Sequence, residues 1–186
     1  MSVTNENILL KAVTLGDYGV GKTSICNLLK NKSFKINTKQ TLGINFESTK
    51  FQINNDILKM YIWDTSGHSR FERVVNLYIK NTKLFLLVFN LSNIKTFNIL
   101  KTKINLINEY NKDPNVLLIG NLFEKKNIDQ KLIDDFIKKY NLKYIEIDCK
   151  KNNRYELINV ICSFDDIKKL KKTKDRSFCK FCNFLF

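Results

Sequence analysis

Residues 16–23 constrain this chain more than any others. They read Gly16-Asp17-Tyr18-Gly19-Val20-Gly21-Lys22-Thr23, a G-x-x-x-x-G-K-T loop, with Ser24 next. The apolar run ILLKAVTLG (8–16) reads as a buried strand leading into the loop, and KTSICNLLKN (22–31) as a helix leaving it. That is the context in which such a loop binds phosphate. Glycines allow a tight backbone turn whose N–H groups point inward, and the helix N-terminus adds partial positive charge. Lys22 would reach β- and γ-phosphates, and the Thr23 hydroxyl would ligate Mg²⁺. The motif by itself implies a nucleotide phosphate and leaves the base open.

The rest of the chain alternates strands and helices. INFESTKFQI (44–53) and ILKMYIWD (57–64) read as a strand pair, joined by the polar turn Asn54-Asn55-Asp56. LFLLVFNL (84–91) and NVLLIG (115–120) are continuous apolar runs, which suits strands covered on both faces. Between them, Ile94, Phe97, Leu100, Ile104 and Ile107 fall at helical spacing, predicting one helix over 94–110. Helices over 128–141 and 154–170 flank a strand at 143–148. Such alternation predicts an α/β fold with a mostly parallel sheet. Length allows one domain, and no apolar run reaches the roughly 18 residues needed to span a bilayer. The N-terminus carries no pattern of a signal peptide, and Ser2 stands where N-myristoylation needs glycine.

A second group of residues extends the chemistry. Trp63-Asp64-Thr65-Ser66-Gly67 closes a strand, with Arg70-Phe71 just after; this resembles the W-D-T-x-G…R-F segment of Rab-type small GTPases of the Ras superfamily. Thr41-Leu42-Gly43-Ile44-Asn45-Phe46 resembles their first switch, T-I-G-x-D-F, and GDYGVGKTS resembles their phosphate loop, G-D-S-G-V-G-K-T-S. The resemblance covers residues 8 to about 170. It implies the small-GTPase form of the P-loop NTPase fold, a mostly parallel six-stranded sheet with helices on both faces. It implies a domain over 1–170 that binds GTP and GDP with Mg²⁺ and hydrolyses GTP, followed by a tail over 171–186.

The resemblance also assigns roles. Thr23 and Thr41 would each supply Mg²⁺ with a hydroxyl, and Asp64 would hold it through a water; an octahedral magnesium site wants such hard oxygen donors. Gly67, lacking a side chain, would let its backbone N–H approach the γ-phosphate. Thr41 and Gly67 would then sense the group that distinguishes GTP from GDP, and release on hydrolysis would be the switch. Phe34 would pack against the base. Asn121, Cys149 through its backbone N–H, and Lys150 would complete the base site. Ile44, Phe46, Trp63, Phe71 and Tyr78 match positions that face effectors; for Phe46 and Tyr78 a plain core role fits the spacing equally well. Exchange factors, activators and effectors are implied as partners of a monomeric core lying on the cytoplasmic face of an endomembrane, in vesicle traffic.

Three departures bear on activity. His68, the sole histidine, follows Gly67 where the family has a glutamine that orients the attacking water. Tyr18 stands where the family has a small residue. Asn121-Leu122-Phe123-Glu124 replaces N-K-x-D, so Leu122 stands for the lysine over the base and Glu124 for the aspartate that reads the guanine edge. These predict slow hydrolysis and relaxed base selectivity. A hydrolysis-impaired adaptor and a P-loop kinase or ATPase are the alternatives; the switch-loop spacing disfavours the last.

The net charge of +14 invites a nucleic-acid reading. Yet 28 of the 32 basic residues are Lys, and Arg is the residue that reads bases and phosphates bidentately, so no nucleic-acid partner is expected. Five cysteines in no framework predict a reducing compartment. The tail gathers Lys168, Lys169, Lys171, Lys172, Lys174, Arg176 and Lys180, a cluster suited to anionic lipid. Cys179 and Cys182 are candidates for lipidation, although four residues follow Cys182 where C-a-a-X needs three.

Overall fold

A computed structural model describes residues 7–36, 39–53, 56–151, 153–165 and 167. Its strands are β1 (Asn7–Leu15), β2 (Ile44–Ile53), β3 (Asp56–Thr65), β4 (Leu84–Asn90), β5 (Asn115–Asn121) and β6 (Lys143–Ile147). They form one sheet in the order β2-β3-β1-β4-β5-β6. Every pairing is parallel except β2 with β3, which runs antiparallel from Ile44↔Thr65 to Ile53↔Asp56. The expected strand pair and sheet are therefore present. Asn54 and Asn55 of the expected turn lie outside the described residues.

Side chains alternate across the sheet and are buried on both faces, which explains the continuous apolar runs. Leu84, Leu86 and Val88 of β4, with Leu117 and Ile119 of β5, join one core. It is capped by Ile25, Cys26, Leu28 and Leu29 of α1 (Lys22–Leu29) and Leu157 and Ile161 of α6 (Arg154–Cys162). Phe85, Leu87 and Phe89, with Val116 and Leu118, join the other. That face is covered by α2 (Glu72–Ile79), α3 (Ile94–Asn98), α4 (Leu100–Tyr110) and α5 (Gln130–Tyr140).

Three elements differ from the expectation. The helix over 94–110 is divided at Ile99 into α3 and α4. The first turn is tied back to the end of β4 by Thr96, whose hydroxyl meets Asn93 O at 2.7 Å and Asn90 O at 3.3 Å, whereas Leu100, Ile104 and Ile107 pack on the sheet. The last helix is broken after Cys162, at Ser163 and Phe164, and helical backbone resumes at Asp165 and Ile167. At the break the Ser163 hydroxyl bonds back to Val160 O at 2.7 Å and accepts from Lys143 Nζ at 2.6 Å. Residues 168–170 lie outside the described residues, as does the tail. Third, a 3-10 turn (Ser69–Phe71) leads into α2, where the sequence reading assigned no element. Only Val75 and Ile79 of α2 are buried, while Val74 and Leu77 are exposed, so its apolar residues do not mark one face.

Candidate functional site

The carboxyl ends of the parallel strands lie together at one end of the sheet, where ligands of such folds sit. The loops after β1, β3 and β5 and the segment after β6 meet there around a cleft of about 450 Å³. Its lining includes Tyr18, Gly19, Gly21, Lys22, Thr23 and Ser24 from the phosphate loop and α1, Phe34 and Thr41 from the segment after α1, Ser66 and Gly67 after β3, Phe123 and Glu124 after β5, and Lys150. Gly16, Asp17, Val20, Asp64, Asn121 and Cys149 do not line the cleft; all but the half-buried Asp17 are buried. The Val20 side chain is in the core, so its part in the loop is played by its backbone.

The phosphate loop is shaped by its glycines. Gly16 and Gly21 have φ of +145° and +89°. A Cβ on Gly16 would overlap the Val88 carbonyl, and one on Gly21 would overlap the Asn121 amide. The loop thus lies against β4 on one side and the β5 loop on the other. Gly21 caps α1, whose first turn holds no acidic residue, so its N-terminal charge is free to face an anion. Lys22 is buried and donates from Nζ to Gly16 O (3.1 Å) and Asp17 O (2.6 Å). Burial pulls its pKa down to about 8, although Asp64 and Asp17 oppose the fall.

Three oxygen-bearing side chains from distant segments converge beside it. Thr23 Oγ1 donates to Asp64 Oδ2 at 2.7 Å, Thr41 Oγ1 donates to the same oxygen at 3.2 Å, and the two hydroxyls are 3.0 Å apart. Burial raises the Asp64 pKa, with the Thr23 bond, Lys22 and the Thr41 and Thr14 bonds acting against it. Two hydroxyls and one carboxylate form a hard, all-oxygen donor set, which fits Mg²⁺ and suits neither zinc nor a soft metal. Ser66 N donates to Gly43 O at 2.8 Å, so the segments carrying Thr41 and Gly67 are bonded to each other.

Sequence reasoning missed Thr14. Its buried hydroxyl accepts from Thr65 N (3.1 Å) and reaches Asp64 Oδ1 (3.4 Å) from behind. Thr65 Oγ1 returns a bond to Thr14 O at 2.6 Å. A lone hydroxyl in an otherwise apolar stretch of β1 was the available signal.

Gly67 sits so close to the phosphate loop that a Cβ would overlap the Asp17–Tyr18 peptide. Beside it, the Tyr18 and His68 rings stack at 4.2 Å between centroids, 23° from parallel. His68 does not line the main cleft; it faces a small neighbouring pocket with Gly67, Glu72 and Asn76. In the base region, Asn121 Nδ2 donates to Val20 O at 3.0 Å, and its Oδ1 accepts from the Cys149 thiol at 3.6 Å. Burial pushes that thiol up to about 12. Leu122 does not reach the cleft. Its half-buried side chain packs against the core under α2–α5, and the half-buried ring of Phe123 lines the cleft instead.

Of the residues matched to an effector surface, Phe46 is exposed and contacts Trp63 edge-on at 5.1 Å; Trp63 lies 6.4 Å from Tyr78. Phe46 and Trp63 are register partners across β2 and β3. The three form one aromatic row, with the Lys11 ammonium 5.1 Å from the Trp63 ring centre. Ile44 and Phe71 are half-buried, Ile44 against the core under α2–α5.

The sequence matches the Ras family over residues 11–168. The chain is a Rab-type small GTPase of the Ras superfamily. Similar relatives include the Ras-related protein Rab-7a of Dictyostelium discoideum, 31% identical over 173 residues and covering 88% of this chain and 83% of the relative. Rab-30 of Homo sapiens is 26% identical over 160 residues, 84% of this chain and 79% of its own length. Rab-11B of Dictyostelium discoideum is 27% identical over 152 residues, 80% and 69% respectively. Proteins of this family bind GTP and GDP with Mg²⁺ and hydrolyse GTP. Among the described residues, this small GTPase has no helix long and apolar enough to cross a membrane.

Proposed function

We propose that this protein is a GTP/GDP switch of slow intrinsic turnover, acting in vesicle traffic through effector proteins. The observation that carries the reading is the meeting of Thr23, Thr41 and Asp64 around one point beside Lys22. These residues come from α1, the segment before β2 and the end of β3. A structural cluster has no need to combine them with a buried lysine at a helix N-terminus. In this reading Lys22 and the first turn of α1 bind the phosphates. Thr23, Thr41 and Asp64 hold Mg²⁺, which would neutralise charge on the β- and γ-phosphates. Phe34, Asn121, Glu124, Cys149 and Lys150 receive the base, and the Phe46–Trp63–Tyr78 row, with Ile44 and Phe71 beside it, presents the switch state to effectors. Mg²⁺-dependent GDP binding tests it. Lys22→Ala abolishes binding, and a variant as tight as the parent would refute the phosphate-loop assignment.

Slow turnover is supported by the Tyr18–His68 stack. His68 stands at the position that would orient water, but its ring is held on Tyr18 and faces the neighbouring pocket rather than the cleft, while Tyr18 crowds the place where an activator's arginine would enter. Losing one transition-state donor costs about 10²–10³ in rate. Single-turnover hydrolysis is therefore expected to rise in His68→Gln combined with Tyr18→Ser; equal rates would refute the account. The same stack favours a second reading, a hydrolysis-impaired adaptor, and a parent with no measurable single turnover would select it.

The tail after residue 170 would hold the protein reversibly on an endomembrane through its basic residues, aided by acylation at Cys179 or Cys182. Flotation with anionic liposomes checks the charge contribution: protein that stays in solution at low salt would refute it.

A further inference from the structure

The loop after β5 gives up the residue the cleft was expected to use and supplies another. Leu122 N donates to Ile147 O at 2.8 Å and Asn121 O accepts from Leu91 N at 3.0 Å, so the backbone is fixed on both sides. With Leu122 half-buried against the core under α2–α5, the next side chain turns to the cleft. Phe123 Cζ lies 2.9 Å from where a Cβ on Gly21 would stand, so the ring rests on the phosphate loop. Lys150 Nζ donates to Phe123 O at 3.3 Å and ties the base-side segment to this residue. Phe34 lines the same cleft from the segment after α1. A half-buried phenyl ring at the cleft exposes apolar face that a flat, apolar ligand surface covers well, and every nucleobase has one.

We propose that Phe123 is a specificity-determining residue whose ring stacks on the nucleobase, so that this chain holds purines by their faces as much as by their edges. This rests on the reading above that the cleft takes a nucleotide. Stacking discriminates by ring area and only weakly between guanine and adenine. Edge recognition falls to the exposed Glu124 carboxylate, which water and salt screen.

The test compares GDP, ADP, UDP and inorganic tripolyphosphate on the full chain with Mg²⁺. Phe123→Leu keeps apolar bulk against Gly21 and removes the aromatic face; Phe123→Tyr keeps both. Losing a stacked ring weakens binding by about tenfold to a hundredfold. Phe123→Leu is expected to weaken GDP and ADP by that factor, UDP by less, and tripolyphosphate not at all, with Phe123→Tyr restoring the purines. Equal weakening of tripolyphosphate would show that Phe123 only shapes the phosphate loop, and unchanged GDP affinity in Phe123→Leu would show that the ring face is unused; either overturns the proposal. A parent that binds none of the four would overturn the nucleotide reading itself, and the proposal with it.

Discussion

Replacing Thr14 by valine keeps shape and removes one hydroxyl, so it isolates the support behind Asp64. The hydroxyl accepts from the buried Thr65 N–H at 3.1 Å, and its contacts to Asp64 Oδ1 and Trp63 O are both long, at 3.4 Å. Most of the cost is therefore the Thr65 N–H left without a partner, about 1–3 kcal/mol. In a domain of this size each kcal/mol moves the melting temperature by about 2–4 °C, so a mid-range loss of about 2 kcal/mol lowers it by roughly 4–8 °C. Asp64 also loses one of the bonds that hold its pKa down. Retention of GDP at limiting Mg²⁺ should weaken as well. Thr14→Ser retains the hydroxyl and serves as the control: it gives up a methyl group's worth of stability and keeps GDP as the parent does. Thermal melts with and without Mg²⁺·GDP, and GDP dissociation rates, read both effects. If Thr14→Val melts with the parent and releases GDP no faster, the hydroxyl supports neither Thr65 nor Asp64.

Other consequences follow from the same geometry. Burial brings Lys22 to about pKa 8, and bound phosphate favours its ammonium form, so binding takes up a proton above that pH; titrations across pH 6.5–9.5 should show GDP affinity level below about pH 8 and falling by up to about tenfold per unit above it, and a flat profile would argue against it. Gly67→Ala places a methyl group in the Asp17–Tyr18 peptide and pushes the two loops apart; displacement assays should then show GTP affinity reduced with GDP affinity kept. Cys149 at about pKa 12 is thiolate in about one molecule in ten thousand at pH 8, and the buried Cys26 thiol is also raised; peptide mapping after iodoacetamide treatment should find both unmodified in the native protein and modified in guanidinium.

What could be read from the chain was whatever local order encodes. The phosphate loop announces itself because strand, glycine turn and helix are contiguous, and β4 and β5 because burial on both faces leaves no polar alternation. Thr41 and Asp64 were reachable through the spacing of a familiar pattern. Contacts that depend on partners far along the chain were not. Nothing local to Tyr18 says that His68 will lie on it, and nothing in Asn121–Glu124 says that Leu122 will turn to the core and Phe123 to the cleft. Thr14 was hidden for the opposite reason: one hydroxyl inside an apolar strand reads as a tolerated exception until the Thr65 N–H and Asp64 are seen beside it. The α2 helix escaped because it is short, eight residues of which only Val75 and Ile79 are buried.

The position of β1 has a consequence for biosynthesis. It is made before the other strands of the sheet and ends up in the middle of it, paired at Ala12 with Ile62 of β3 and Leu84 of β4. Neither partner exists when β1 leaves the ribosome. At roughly 5–20 residues per second, the 50 positions between Ala12 and Ile62 take several seconds to synthesise. During that interval the apolar run Leu9–Leu15 and the glycine loop behind it have no sheet to join. Long-range parallel pairing of this kind also makes folding slow. The nascent chain is therefore most open to chaperones, and to mispairing, in the segment that leads into the glycine loop.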